Sequence, residues 1–323
     1  MSHVQGARIG VVIPAYRVAN QITHVIEGIP SFVEKIIVVD DASPDDTADR
    51  VVALNDNRVI LLRHDANQGV GGAMRTGFQE SIRLGLDVVV KVDGDDQMDP
   101  DEMPQLLEPV LRGEADMAKG NRFHDFGALR RMPFLRVIGN AGLTFLVKLA
   151  SGYWQLFDPT NGYFAIRTDV LEMLNLDRLP RRYFFESGFL IRLGIIGAAV
   201  KDVPIGARYG DEHSSLSVVR TLFEFPPRLC WGLLQRLFWR YVIYGFSPVT
   251  VFLILAAPLL VFGLWYGITV WLHSQATGVP ATAGTVMLAA MPIIIGFQLV
   301  LQAIVVDIDS APKAPLSSRR KSD

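Results

Sequence analysis

Four aspartates lie within ten residues of this sequence, in KVDGDDQMDP at positions 91–100, directly after the apolar run at 86–90. Adjacent carboxylates repel one another unless water, hydrogen-bond donors or a cation compensates for their charge. A hard divalent ion such as Mg²⁺ is a usual partner of such oxygen ligands. Asp93 and Asp95, which stand nearest to the apolar run, are therefore candidate metal ligands.

Helix capping is the alternative interpretation of the same stretch. Asp99 followed by Pro100 fits a helix start, with aspartate as the cap and proline at the first helical position. Capping leaves Asp93 and Asp95 without a role. A calcium loop of the EF-hand type is excluded, because Gln97 stands where that loop needs Asp or Asn. The stretch by itself leaves metal binding and capping both open.

The acidic stretch follows the last of four β-branched apolar runs in the first third of the chain. Turn residues bound each run and a stretch with helical periodicity follows it, which predicts a mostly parallel sheet covered by helices. The runs are RIGVVIP (8–14), EKIIVVD (34–40), RVILLR (58–63) and LDVVVKVD (86–93). Ligands of such α/β sheets bind at the carboxyl ends of the strands, so the acidic stretch lies at the expected binding edge.

The glycines at 69–72 predict close packing rather than a nucleotide-binding loop. A GxGxxG dinucleotide loop would need glycine where Met74 stands, and it would follow the first strand instead of the third. A helix that starts in tight contact with the sheet explains these glycines better.

The last quarter of the chain is more apolar than the rest. Of the 323 residues 50% are hydrophobic, and positions 248–272 and 283–306 contain no charged residue. As helices, both segments are long enough to cross a hydrocarbon core of about 30 Å. A chain of this length holds about two domains, and the second is predicted to be a two-helix transmembrane hairpin.

Basic residues flank the predicted hairpin on both sides. Four arginines lie between 220 and 240, and four basic residues lie between 313 and 321. By the positive-inside rule, the N-terminal region and both chain ends are expected in the cytoplasm. The N-terminal residues show no apolar signal segment. The single cysteine, Cys230, excludes an internal disulfide and fits a reducing compartment.

Residues 213–246 combine arginines with aromatic residues and contain Pro226-Pro227. The mixture predicts two amphipathic helices in the lipid head-group layer, with ordinary core helices as the alternative. The predicted organisation is a cytoplasmic α/β domain at 1–212, juxtamembrane helices at 213–246, transmembrane helices within 247–307, and a disordered basic tail at 308–323.

Six motifs give the N-terminal region a family resemblance. They are VVIPAY, IIVVDDASPDDT, NQGVGGAMRTGF, VVVKVDGDDQMDP, GNRF and DPTNGYFAIR. In their order and spacing, residues 7–216 resemble family 2 glycosyltransferases, in particular the polyprenyl-phosphate branch that includes dolichyl-phosphate mannose synthase. The two-span tail is similar to that of bacterial members. The resemblance implies a GT-A fold, with a mostly parallel central sheet.

The resemblance also assigns the acidic stretch to the donor site. In the GT-A fold an Asp-x-Asp motif binds a divalent ion, Mg²⁺ or Mn²⁺, that bridges the two phosphates of a nucleotide sugar. Asp93, Asp95 and Gln97 take those positions here. Charge supports this assignment, because a diphosphate leaving group is strongly anionic and Mg²⁺ is usually held by one or two carboxylates plus substrate phosphates.

By the same resemblance, eight residues at the strand ends contact the nucleotide sugar. They are Pro14, Tyr16, Asp40, Asp41, Asn67, Gly69, Asp93 and Gly94. Turn formation before Pro44 is the alternative role of the two aspartates that follow the second strand. Family members continue the first motif with Asn-Glu, whereas this chain has Arg17-Val18, which leaves the contacts at that point open.

Basic residues in KGNRFHDFGALRRMPFLR, at positions 119–136, suit an anionic acceptor, because guanidinium groups match phosphate oxygens. A solvated basic face beside the membrane is the alternative. The resemblance assigns the acceptor phosphate to Arg122 and Arg136, and with a weaker motif match to Arg208. Arg131, in the same basic stretch, is a further candidate for the phosphate. Arg131 and the neighbouring Arg130 also suit lipid head groups.

A phosphate acceptor simplifies the chemistry, because its second pKa is about 6 and it needs no general base at pH 7. We therefore expect an inverting in-line displacement at the anomeric carbon. The expected catalytic residues are Asp93, Asp95, Arg122 and Arg136. The residues left to bind sugar hydroxyls, to orient arginines or to form turns and caps are Asp158, Thr160, Asn161 and Glu186.

The predicted function is transfer of a hexose from a UDP- or GDP-linked sugar to polyprenyl phosphate, for example undecaprenyl phosphate, at the cytoplasmic face of a bacterial inner membrane. A saccharide or lipid hydroxyl acceptor is the alternative, although the sequence lacks the Gln-x-x-Arg-Trp motif expected there. A non-catalytic membrane scaffold that binds nucleotide sugar is a second alternative. Membrane lipids are expected partners, and Gly263, Gly267 and Gly296 offer packing points for a homo-oligomer. No nucleic-acid partner is expected, and the six scattered histidines show no zinc spacing.

Overall fold

The structure is a computed structural model that describes residues 6–122, 134–206 and 218–319. It divides the chain into two compact units. The first consists of Met1–Arg236 together with Pro312–Asp323, and the second is Leu237–Ala311. The first unit contains the sheet, and the second contains the two long apolar helices.

Within the described residues, seven strands form one mixed sheet in the order β3-β2-β1-β4-β6-β5-β7. The strands are β1 (Ile9–Ala15), β2 (Lys35–Asp40), β3 (Val59–Arg63), β4 (Val88–Lys91), β5 (Met117–Asn121), β6 (Phe164–Arg167) and β7 (Val200–Pro204). The first four strands pair in parallel, as the sequence predicts. Strand β6 runs antiparallel between β4 and β5.

Helices cover both faces of this sheet. In the first unit they are α1 (Ile22–Gly28), α2 (Thr47–Ala53), α3 (Val70–Arg83), α4 (Met103–Leu111), α5 (Phe134–Ser151), α6 (Thr168–Glu172), α7 (Phe185–Ile196), α8 (Val218–Phe238), which continues two residues into the second unit, and α11 (Leu316–Arg319). Alternate strand residues enter two separate cores: Val12 packs in one with Phe78 of α3, and Ile13 packs in the other with Leu106 of α4. Burial on both faces explains why the strands read as continuous apolar runs.

Helix α8 differs from the sequence expectation, because it continues through Pro226 and Pro227 where two separate helices were predicted. Each proline lacks the N–H that a helix interior uses. Phe225 and Leu229 flank the pair and are buried in the main core. Packing on both sides of the prolines therefore holds the helix together despite the missing hydrogen bonds.

The C-terminal tail also differs from the expectation of disorder at 308–323. The described part forms the short helix α11, and the Leu316 N–H donates to both carboxylate oxygens of Asp116 at 3.0 Å. Burial raises the pKa of Asp116, although the backbone donors Ala199 and Leu316 oppose that effect. The tail is ordered because it satisfies this buried carboxylate and packs Leu316 against the core.

The second unit contains α9 (Pro248–Thr277) and α10 (Ala283–Asp309), two described helices that are long and apolar enough to cross a membrane. They pack closely on each other at the glycines. A Cβ on Gly263 would lie 3.0 Å from the Ala289 carbonyl oxygen, and one on Gly296 would lie 3.2 Å from that of Ala256. These glycines, which the sequence offered as oligomer contacts, are therefore used within the chain, as is Gly267 beside Ala289.

Candidate active site

The carboxyl ends of β1, β2 and β4 lie at one edge of the sheet, because these three strands are parallel neighbours. The loops after them contain three non-glycine residues in the left-handed conformation: Arg17, Ala42 and Asp96, with φ of 58°, 59° and 60°. Such conformations cost of the order of 1 kcal/mol or more each and concentrate at functional sites. The predicted binding edge is therefore also a place where the backbone is strained.

A buried lysine holds Asp93 in place. Lys91 Nζ lies 2.6 Å from Asp93 Oδ1 and 3.5 Å from Glu186 Oε1. The Lys91 side chain is 1% exposed, whereas that of Asp93 is 30% exposed and so reaches the surface. Burial alone would lower the pKa of Lys91, but the two carboxylates outweigh it and raise that pKa. Lys91 is therefore a permanent positive charge beneath the acidic loop.

Space for a ligand remains on the other side of Asp93. A Cβ on Gly162 would lie 2.7 Å from Asp93 Oδ2, so the absence of a side chain there keeps this oxygen accessible. Asp93 and Gln97 line one small cavity of about 60 Å³. In the adjoining turn, Asp95 Oδ1 accepts the Gln97 backbone N–H at 3.2 Å.

The acidic loop fits a metal ion that is shared with a substrate. Among the described residues, no three His, Cys, Asp or Glu side chains gather into a complete metal site. Mg²⁺ does not require one, because it keeps several waters and is commonly held by one or two carboxylates plus substrate phosphates. Asp93 and Gln97 line the same cavity and Asp95 lies in the adjoining turn, so these side chains could form that smaller donor set, and their metal binding stays a prediction.

Asp99 has the capping role that its sequence predicts. Its Oδ1 accepts the Asp101 backbone N–H at 3.0 Å, at the start of the short 3₁₀ helix Pro100–Glu102. Asp99 is thus a helix cap, whereas metal binding by the other aspartates of the stretch stays a prediction.

Three residues of the predicted nucleotide site lie around the end of β1. A Cβ on Gly94 would lie 3.5 Å from the Pro14 carbonyl oxygen, so these two loops are in close contact. Tyr16 is 42% exposed, and the Arg17 guanidinium lies 5.3 Å above the centre of its ring. Tyr16 therefore shares one face of its ring with Arg17, and its contact with a nucleoside stays a prediction.

Asp40 and Asp41 are both buried, and each accepts backbone hydrogen bonds. Asp40 Oδ1 accepts the Ser43 N–H at 3.2 Å. The Asp41 carboxylate accepts the N–H groups of Gln68 at 2.9 Å and Gly69 at 2.7 Å. The same carboxylate lies 2.7 Å from His64 Nδ1.

Asp41, Asn67 and Gly69 therefore form one hydrogen-bonded unit, which Asn67 completes by donating to the Asp41 carbonyl oxygen at 3.2 Å. This unit fixes the loop before α3. A Cβ on Gly71 would lie only 1.9 Å from the Pro180 carbonyl oxygen. The start of α3 is therefore closely packed, but against the segment before α7 rather than against the sheet as predicted. The turn-forming role of Asp41 is visible in these contacts, and its nucleotide contact stays a prediction.

Arg122 lies in the same cavity as Asp93 and is oriented by a buried carboxylate. Its Nε donates to Asp158 Oδ2 at 2.9 Å; the Asp158 side chain is fully buried, and that of Arg122 is 39% exposed. Thr160 Oγ1 donates to Asp158 Oδ1 at 3.3 Å. Asp158 and Thr160 thus orient an arginine, one of the three roles that the sequence left open.

The sequence of the chain is similar to those of known proteins. Residues 10–174 match the model of glycosyl transferase family 2. The chain belongs to glycosyl transferase family 2. It is 32% identical over 207 residues to undecaprenyl-phosphate mannosyltransferase from Micrococcus luteus, with 62% of this chain and 83% of that protein covered. It is 30% identical over 213 residues to UDP-N-acetylglucosamine–dolichyl-phosphate N-acetylglucosaminyltransferase from Methanococcus voltae, with 61% and 84% covered.

A solved structure gives the fold of this family 2 glycosyltransferase. Glucosyl-3-phosphoglycerate synthase from Mycobacterium tuberculosis, in complex with Mn²⁺, UDP and glucosyl-3-phosphoglycerate, superposes with a TM-score of 0.54 at 24% identity. The match covers 73% of this chain and 81% of the synthase. The predicted GT-A fold and the predicted resemblance to the polyprenyl-phosphate branch are confirmed.

Two further predicted site residues contact other parts of the protein. Glu186 contacts Lys91 rather than an arginine. Asn161 is buried within the fold: its Nδ2 donates to the Gly120 carbonyl oxygen at 2.8 Å, and its Oδ1 accepts the Tyr163 N–H at 2.9 Å. Asn161 also lines the cavity of Asp93 and Arg122. The roles of both residues toward a ligand stay predictions. Arg131, Arg208 and the side chain of Arg136 lie outside the described residues.

Two buried lysines of the site were not predicted. Lys91 was detectable as the only charge within the apolar run VVVKV, because a buried lysine requires an anionic partner. Lys119 on β5 donates to the Asn161 carbonyl oxygen, and burial lowers its pKa to about 8. No local pattern marks Lys119, since the sequence does not show which residues surround it.

Proposed function

We propose that this family 2 glycosyltransferase transfers a hexose from a UDP- or GDP-linked sugar to a polyprenyl phosphate. The observation that carries the proposal is one cavity lined by both Asp93 and Arg122. It offers an acidic group for a cation-bound donor diphosphate and a guanidinium for an acceptor phosphate. Relatives named for dolichyl phosphate and undecaprenyl phosphate support this acceptor class.

The residues of the site then have separate tasks. Lys91 holds Asp93 at the cavity, and Asp158 holds Arg122 with its free guanidinium nitrogens available to phosphate oxygens. Mg²⁺ or Mn²⁺ held by Asp93, Asp95 and Gln97 would, when bound, neutralise charge on the departing diphosphate. The acceptor phosphate is already ionised at pH 7, so an inverting displacement proceeds without a general base.

The proposed location is the cytoplasmic face of a bacterial inner membrane, with both chain ends on that side. Basic residues flank the two apolar helices. The contact of Leu316 with Asp116 supports the same topology, because it joins the chain beyond the second apolar helix to the sheet-containing unit. Labelling of residues 277 and 320 from one side of the membrane tests it, and equal accessibility of both would contradict it.

The decisive test compares acceptors with the purified full-length enzyme. UDP- and GDP-hexoses are supplied with undecaprenyl phosphate or with undecaprenol, in the presence of Mg²⁺ or Mn²⁺. We expect transfer to the phosphate only, at a rate that rises as the acceptor ionises through a pH of about 6. Efficient glycosylation of undecaprenol would assign a hydroxyl acceptor instead, and absence of turnover with every donor would favour the scaffold alternative.

A further inference from the structure

A second concave surface of the first unit is strongly cationic. A groove of about 650 Å³ lies between residues 178–184, helix α7 and helix α8, and we refer to it as the arginine groove. All of its described ionisable lining residues are arginines, namely Arg178, Arg181, Arg182, Arg192 and Arg228. None of the described residues that line it also lines the cavity of Asp93 and Arg122.

The arginines of this groove are poorly compensated. Among the described residues, Arg178, Arg181, Arg182 and Arg192 form no salt bridge, and Arg228 lies 3.8 Å from Glu224. Burial and the neighbouring Arg178 lower the pKa of Arg192. Like charges within one groove repel each other, so an anion from outside the protein would be bound favourably.

The groove is held in shape by the core beneath it. The Gly72 N–H of α3 donates to the Arg181 carbonyl oxygen at 3.0 Å, which anchors the backbone of the groove's rim. A Cβ on Gly232 would lie 2.5 Å from Ile191 Cδ1, so α7 and α8 are in close contact at its floor. The guanidinium groups are thus presented by rigid elements, which lowers the cost of ordering them around a ligand.

The walls of the groove favour a ligand that is both anionic and amphiphilic. Guanidinium groups match phosphate oxygens, often with two parallel hydrogen bonds. Trp231 adds apolar surface and is 63% exposed, whereas Phe184 is buried beneath Arg228. Only residues 239–247 separate α8 from the first apolar helix, a linker that reaches at most about 35 Å. The chain therefore tethers the groove near any bilayer that this helix enters.

We propose that the arginine groove is a second phosphate site, which binds the head group of an anionic phospholipid apart from the catalytic cavity. Its arginines supply the contacts to the phosphate, and Trp231 contacts the glycerol and upper acyl region. Such a site would hold the sheet-containing unit at an anionic membrane surface independently of sugar transfer.

The test uses direct binding to the full-length protein in neutral detergent. Cys230 is exposed, is the only cysteine and precedes Trp231 in the chain. An environment-sensitive fluorophore attached to it reports ligand binding near Trp231. The labelled protein is titrated with dihexanoyl phosphatidylglycerol, dihexanoyl phosphatidylcholine and inorganic phosphate. We expect the anionic lipid to bind at least about tenfold more tightly than the zwitterionic lipid or inorganic phosphate.

Matched double variants separate the groove from general surface charge. R181Q/R182Q removes two exposed groove arginines, whereas R50Q/R83Q removes two exposed arginines that pair with Asp46 and Glu80. We expect the groove variant to lose at least about tenfold in affinity for phosphatidylglycerol, and the control to change by less than about twofold. R228Q is a second groove variant, and thermal unfolding verifies that each variant is folded.

Three results would overturn the proposal. Equal loss in R181Q/R182Q and R50Q/R83Q would show general electrostatic attraction. Inorganic phosphate that binds as tightly as phosphatidylglycerol would make the groove a site for a free phosphate compound. A raised KM for polyprenyl phosphate in R181Q/R182Q would make it part of the acceptor site. The titration needs no turnover, so failure of the proposed transfer reaction would leave its result readable.

Discussion

The cavity lined by Asp93 and Arg122 and the arginine groove differ in how their charged side chains are compensated. In the cavity, Lys91 contacts Asp93 and Glu186, and Arg122 contacts Asp158. In the groove, four described arginines have no carboxylate partner. The difference follows from burial: a charge removed from water costs several kcal/mol unless it is paired, whereas an open groove keeps its charges hydrated. Ion pairs thus fix the side chains of the cavity. The groove lacks such pairs, so its arginines can bind an anion from outside the protein.

Removal of the buried cation Lys91 should have the largest effect on the free energy of unfolding, because it leaves two carboxylates without their counter-charge. Lys91→Met leaves Asp93 and Glu186 without their shared cation, and we expect a loss of about 3–5 kcal/mol in the free energy of unfolding. Chemical denaturation of the full-length protein measures it. Lys201→Met, which breaks the exposed pair with Glu114, is the control and should change the free energy of unfolding much less, because water screens that pair. Equal small losses would show that Lys91 is not the counter-charge proposed here.

Removal of a metal-site charge should reduce activity rather than stability. Asp95→Asn is expected to slow sugar transfer at least about 10²-fold, as loss of an electrostatic group in a transition state does. Asp96→Asn is the matched control, because Asp96 has a left-handed backbone that asparagine tolerates and lies 3.5 Å from His24. Wild-type turnover in metal-free buffer, or by Asp95→Asn, would contradict the metal-dependent mechanism.

Loss of the cationic side of the cavity should weaken use of the acceptor. Arg122→Ala removes a charge-assisted phosphate contact, so we expect KM for polyprenyl phosphate to rise about tenfold or more while KM for the nucleotide sugar stays nearly constant. Asp158→Asn should produce a smaller change in the same direction, since Arg122 would remain but lose its orientation. A rise in KM for the nucleotide sugar alone would show that Arg122 binds the donor and not the acceptor.

The smallest expected effect is a pH dependence that separates buried from exposed carboxylates. Burial raises the pKa of Asp202 to about 6, so its stabilising contribution is complete at acid pH and is lost as pH rises through about 6. Lys201 lowers the pKa of the exposed Glu114, whose contribution is instead lost as pH falls.

Free energies of unfolding measured across the acid range should therefore change in opposite directions. Asp202→Asn should be less stable than the wild type at low pH and should gain relative to it as pH rises. Glu114→Gln should lose stability relative to the wild type as pH rises. If both variants gained, or both lost, stability relative to the wild type as pH rises, the predicted difference between the buried and the exposed carboxylate would be wrong.

The sequence by itself determined the features that depend on local patterns. Runs of β-branched residues predicted β1 to β4 and their parallel pairing. Both faces of β1, β2 and β4 are buried, whereas β3 at the sheet edge is only partly buried. The position of Asp93 just after such a run placed it at the binding edge. Uncharged segments at 248–272 and 283–306 predicted helices α9 and α10, since length and hydropathy suffice for that prediction.

Only the tertiary structure decided which charges meet. Lys91 and Glu186 are 95 positions apart, and Arg122 and Asp158 are 36 apart, so no local pattern announces either pair. The order of Leu316–Arg319 likewise depends on Asp116, a buried carboxylate 200 positions earlier. The arginine groove combines residues 178–192 with Arg228 because α7 and α8 pack against each other. Periodicity reports which face of an element is buried, whereas side-chain partners depend on the long-range packing of those faces.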